Sequence, residues 1–171
     1  MYKLLATIII LLFAQAAHAE WTSVNKVDDF TDKQVRYAAF SDADHRIQLS
    51  HEGKAVWMFI TRKKIGTFEP NGLIEMRVDK NETMVVDPEK SKRLAELLGK
   101  PTFQWEPATV GFLLWHGSEE EGCGYVGQLL QGQELKVRYQ TNSLERDTFS
   151  ANLAGAKQSI INGLGLTKCG Q

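Results

Sequence analysis

His116 and Cys123 stand a few residues apart, with the acidic run Glu119-Glu120-Glu121 between them. A cysteine nucleophile needs a neighbouring base, and a carboxylate can orient the imidazole, so this stretch carries the parts of a small hydrolase. The second cysteine, Cys169, competes for the same thiol. Pairing it with Cys123 would close a loop of about 47 residues and stabilise the fold by roughly 4 kcal/mol in the chain-entropy model. No nucleophile-elbow pattern G-x-S-x-G accompanies His116, so the residues favour a structural disulfide over a reactive Cys123.

Other chemistries leave weaker marks. H-E-x-x-H, C-x-x-C and EF-hand loops are absent from the sequence, as are the glycine loops that cradle phosphates, so no metal or cofactor is expected. Of the four histidines, His18 falls in the N-terminal leader. His45, His51 and His116 are flanked by charged or small polar residues and read as exposed. Asp42, Asp44, Asp79 and Asp87 could supply an acid and base pair, but aspartate at turns explains them equally. Arg62-Lys63-Lys64 follows the most apolar run and reads as an edge loop able to meet an acidic partner or phospholipid headgroups. Among four tryptophans, Trp57 and Trp115 read as core, whereas Trp21 and Trp105 are candidates for a binding surface.

These groups sit in a chain that reads as exported. Met1-Tyr2-Lys3 gives a positive start, Leu4 to Phe13 an apolar core, and Ala17-His18-Ala19 a cleavage signal, so residues 1–19 are expected to be removed as a secretory leader. The apolar core breaks at Gln15 and His18, short of the roughly 20 residues that span a bilayer. No cysteine follows the cut for lipid attachment, which makes the expected location periplasmic or secreted. Taking Lys3 from 20 basic residues against 21 acidic leaves a net charge of about −2, which gives no sign of a nucleic-acid partner. In an oxidising compartment the two cysteines are again expected to pair.

The elements that must position these residues are mostly strands. Val35, Tyr37 and Ala39, then Ile47 and Leu49, alternate with polar neighbours, as do Ile74, Met76 and Val78, and Leu135, Val137 and Tyr139. Ala55–Ile60 and Thr109–Trp115 are continuously apolar, as in strands covered on both faces. Turn signals at Glu52-Gly53, Pro70-Asn71-Gly72 and Asp79-Lys80-Asn81 favour antiparallel pairing. Asp87 as N-cap, Pro88 at the first helical position and a stop at Gly99 predict a helix over 88–98 with Leu94, Leu97 and Leu98 on one stripe. Ala156, Ile160 and Leu164 predict an amphipathic helix over 154–164. The expected fold is one mainly β domain over 20–171, an antiparallel β-sandwich or curled sheet with these two helices.

Several pieces together resemble a known group. They are Trp21 at the mature start, Asp28-Asp29-Phe30-Thr31-Asp32, Ile74-Glu75-Met76-Arg77-Val78-Asp79, and Leu130 to Tyr139. Phe149, Leu153-Ala154-Gly155 and the final Cys169 complete them. The pattern resembles periplasmic accessory proteins associated with type VI secretion and, more loosely, the invasion-associated locus B proteins. Where the accessory proteins tend to carry a cysteine in an early strand, this chain reads Ile47-Gln48-Leu49-Ser50. The resemblance implies a non-enzymatic β domain that binds or assembles with a protein partner in the envelope. Two further readings stand beside it: a small periplasmic hydrolase using His116 and nearby carboxylates, and an inhibitor or immunity protein.

Overall fold

The computed structural model describes residues 20–169, so the leader expected at 1–19 lies outside the described residues. Ten strands and three helices follow one another in this span. β1 (Glu20–Val27), β2 (Gln34–Ser41), β3 (His45–Glu52) and β4 (Ala55–Arg62) form an antiparallel meander. β8 (Thr109–His116) pairs with β4, and β7 (Phe103–Glu106) closes the edge, giving a six-stranded sheet in the order β1-β2-β3-β4-β8-β7. β5 (Ile74–Val78), β6 (Met84–Val86), β9 (Glu134–Gln140) and β10 (Arg146–Asn152) form a second antiparallel sheet in the order β10-β9-β5-β6. The mainly β architecture is the one the alternating pattern predicts.

Alternation decides which side chains face inward. Ile47 and Leu49 on β3, Val56, Met58 and Ile60 on β4, and Val110 and Phe112 on β8 meet Ile74, Met76 and Val78 on β5 and Leu135, Val137 and Tyr139 on β9 in one continuous core. Trp21 belongs to that core as well. It packs on Phe40 with its indole Nε1 donating to the Asn152 carbonyl at 2.9 Å. Trp21 is therefore a buried residue that joins the edge strand of one sheet to the edge strand of the other, and it does not form the binding surface expected of it.

Helices fill the remaining inner surface. α3 (Ala156–Leu164) buries Ala156, Ile160 and Leu164, while α2 (Gly124–Gln131) buries Tyr125, Val126, Leu129 and Leu130. α3 lies so close to β2 that a Cβ on Gly163 would sit 2.5 Å from the backbone of Tyr37 and Ala38. Only glycine permits that approach. Cys123, just before α2, is bonded to Cys169, just after α3, with Cα atoms 5.6 Å apart. Beside this staple the Glu119 carboxylate accepts hydrogen bonds from the backbone N–H groups of Thr167, Lys168 and Cys169. Partial burial pushes the Glu119 carboxyl up, but these backbone donors outweigh it and hold the group below the usual range.

Replacing both cysteines by serine should cost about 4 kcal/mol or less by urea unfolding, with the fold retained. Glu119→Gln should loosen the same junction by about 1 kcal/mol, as for a lost helix cap. Because its folded carboxyl titrates below its unfolded value, the Glu119 contribution should be present at neutral pH and vanish as the pH falls through the folded value. Urea midpoints of the variant and wild type that stay equally far apart down to strongly acid pH would contradict this assignment.

Candidate functional site

Two places gather polar and reactive side chains: a buried cluster between the sheets and a groove on the outer face of the six-stranded sheet. The cluster is built on Tyr139. Its hydroxyl donates to Asp147 Oδ2 at 3.0 Å, and so accepts from His45 Nε2 at 2.9 Å, which sets the histidine tautomer. The His45 ring stacks on Phe149 with centroids 4.0 Å apart. Lys64 Nζ reaches Asp147 Oδ2 at 2.6 Å, and the Arg62 guanidinium lies 3.8 Å from the same oxygen and over the Tyr139 ring.

Burial dominates the protonation states here. It lowers His45, against the pull of Asp42, and raises Tyr139, so both are neutral near pH 7. Burial also pushes Asp147 up, but the hydrogen bonds from Lys64 and Tyr139 and the Lys64 charge outweigh it and leave the carboxyl below its ordinary value. His45, expected to be exposed, is only 3 % accessible. Arg62, expected on a binding surface, is 7 % accessible and packed inside. Both expectations fail for one reason: the end of the core is closed by paired charges instead of by apolar side chains. These groups join β3 and β4 to β9 and β10, which makes the cluster a lock between the sheets.

The remaining expected surface residues do not converge. Lys63 is exposed and donates to Ser41 Oγ and the Asp42 carbonyl, while Lys64 is held by Asp147. Trp105 is partly exposed on the edge strand β7, with Nε1 donating to the Phe68 carbonyl at 3.3 Å. The pair His116 and Cys123 is also separated in role, because the Cys123 sulfur is committed to the disulfide. The aspartates are turn residues: Asp42 accepts from the backbone of Asp44 and His45, Asp79 from Gln133 and Glu134, and Asp87 caps its helix.

The groove is different in kind. α1 (Pro88–Leu98) begins on the Asp87 side chain, which accepts from Glu89 and Lys90, and ends at Gly99, as the sequence predicts. Its leucines, however, are not packed away: Leu94, Leu97 and Leu98 are 45 %, 84 % and 53 % exposed. The chain returns through Thr102, whose hydroxyl donates to the Ser91 carbonyl at 2.6 Å and whose own carbonyl accepts from Leu113 N–H. That tether ties the helix to the rim of the sheet. A groove of about 750 Å³ remains, with Trp57 and Leu113 as its floor, Leu94, Leu98 and Pro101 on one side, and Glu52, Lys54 and His116 at its end.

A bulge puts His116 there. Between Val56 and Trp57 the β4–β8 register shifts, so Val56 faces Trp115 while Trp57 faces Leu113. The extra residue, Leu114, reverses the alternation: Trp115 turns to the core side against α2, and His116 comes out beside Ala55. Trp57 stacks on Phe59, whose ring in turn covers Gly111, where a Cβ would lie 2.5 Å from the ring. Backbone and side-chain hydrogen bonds from Ser118 hold the Glu121 carboxyl below the usual range, with Lys54 and His116 adding to the effect. The groove end is thus charged while its floor is apolar. The stripe of leucines on α1 and the unbroken apolar run of β4 were the signals for this site. Its assembly depends on the Thr102 tether, which no local pattern announces.

The lock between the sheets should show itself in pH dependence. A histidine whose folded value is depressed is protonated more readily in the unfolded chain, so stability should fall as the pH drops below about 6.5. His45→Gln should flatten the slope of unfolding free energy between about pH 5 and 7, read from urea midpoints. An unchanged slope would exclude His45 as its source. No family model, no curated protein and no solved structure matches this chain.

Proposed function

We propose that this chain is an exported, non-enzymatic binding or accessory protein of the bacterial envelope, associated with a secretion system, and that it takes an apolar segment of a protein partner in the groove beneath α1. The observation that carries this reading is the half-exposed pair Leu94 and Leu98 lining one groove with Trp57 and Leu113. Leu94 and Leu98 are about half exposed, so a partner covering them would supply roughly 0.7–1.5 kcal/mol for each. The groove volume lies within the range of binding sites, and Glu52, Lys54, Lys100, Gln104 and His116 line it beside the apolar residues as polar groups to orient a ligand. Export is supported by the leader pattern in the sequence, and the disulfide is compatible with an oxidising compartment. Among the described residues no helix is long and apolar enough to cross a membrane.

Leu94→Asp with Leu98→Asp tests this directly. Both positions are about half exposed, so the free protein should stay folded at a cost of about 1 kcal/mol or somewhat more for each change. Wild-type protein carrying an affinity tag should retain a reproducible envelope protein that the double variant loses. Leu97→Asp, on the same helix but outside the groove, should retain it. Equal recovery by all three proteins would remove the groove as the binding site.

A further inference from the structure

The outer face of the second sheet carries an arrangement that costs stability and that the groove does not explain. In the β5–β9 ladder Glu75 stands opposite Arg138 and Arg77 stands opposite Lys136. The first pair attracts, with Arg138 Nε donating to the Glu75 carboxylate, and that bond holds the Glu75 carboxyl below the usual range. The second pair repels, since like charges directly opposite on an antiparallel ladder are destabilising. Lys136 shares its charge with Glu134 at 3.2 Å, an exposed pair of small worth. The Arg77 guanidinium makes no ion pair or side-chain hydrogen bond among the described residues.

A depression of about 200 Å³ opens over this repelling pair, lined by Arg77, Lys136 and Arg138 with Glu75, Thr83 and Thr148. We propose that it binds a small molecule bearing a phosphate group, seated between Arg77 and Lys136. Arg77, Lys136 and Arg138 against Glu75 and the Glu134 that pairs with Lys136 leave an excess of one positive charge, which draws an anion, and the guanidinium of Arg77 is the donor left without an ion pair among the described residues. The Arg77 fork donates two parallel N–H groups to two phosphate oxygens, and the Lys136 ammonium serves the third as a point charge. The hydroxyls of Thr83 and Thr148 are further donors at the wall. A carboxylate, with two oxygens, would fill the Arg77 fork and leave none for the Lys136 ammonium and the threonine hydroxyls. The anion removes the repulsion across the ladder, so binding and sheet stability are coupled.

The test is a titration of the full mature protein with inorganic pyrophosphate at low ionic strength, following the thermal midpoint and backbone amide shifts. The midpoint should rise with ligand, and shifts should centre on β5 and β9. Arg77→Gln and Lys136→Gln should each weaken binding about tenfold or more. Each should also raise the midpoint of the ligand-free protein, because the opposing charge is gone. Arg146→Gln, on the same sheet but outside the depression, should bind as wild type does. An equal loss in Arg146→Gln would mean diffuse attraction and would overturn the site. So would a lower ligand-free midpoint in Arg77→Gln, or binding to anionic lipid vesicles with no response to pyrophosphate. The groove beneath α1 takes no part in this experiment, so its fate is decided separately.

Discussion

Val56, Met58 and Ile60 on β4, with Val110 and Phe112 on β8, are driven out of water against the inward residues of β5 and β9, and that burial fixes what lies on the other side of the same strands. A strand cannot turn one set of side chains inward without turning the next set outward. Trp57, Phe59 and Leu113 are consequently delivered to the outer face, where no second sheet covers them. The groove is the remainder of the core problem. α1 covers part of that surface, tied to the rim of the sheet through Thr102 with Leu94 and Leu98 still half-exposed.

The bulge in β8 and the polar lock show how the two sheets keep one arrangement. A slip of one residue would exchange inner and outer faces throughout a strand. Opposite the bulge, Val56 is held against Trp115, which fixes the β4–β8 register. At the far end, Tyr139 must find both His45 and Asp147, and Asp147 must find Lys64. Misplaced sheets would leave those groups buried without partners, at a cost larger than their net contribution when paired. The cluster thereby discriminates against wrong packings more than it adds to the right one.

Local chemistry made much of this readable. Asp87, Pro88 and Gly99 announce both ends of α1, and the alternation in β3, β5 and β9 is plain. β1 escaped notice because only Trp21 of its eight residues is buried, so an edge strand with one inward anchor shows no period. β7 and β6 are too short to show one. α2 opens on Gly124 and carries Gly127, poor helix formers that conceal the pattern of Val126, Leu129 and Leu130. The burial of His45 and Arg62 depends on partners brought from β9 and β10, far along the chain, and no local window contains them. For the same reason the sequence pointed at His116 for chemistry, whereas the structure sets it at the end of an apolar groove.

The staple between Cys123 and Cys169 also bears on how the molecule is made. Cys169 follows every strand and helix described, and Trp21, in the first strand, receives contacts from Asn152 and Ser159 near the far end of the chain. Neither the bond nor that closure can form before the last helix and the residues after it are free to reach the first strand. The inner face of the first two strands stays without the cover of α3 until that helix is in place. A protein built this way completes its fold only when the whole described span is available, so making the chain and giving it a rigid form are separate events in time.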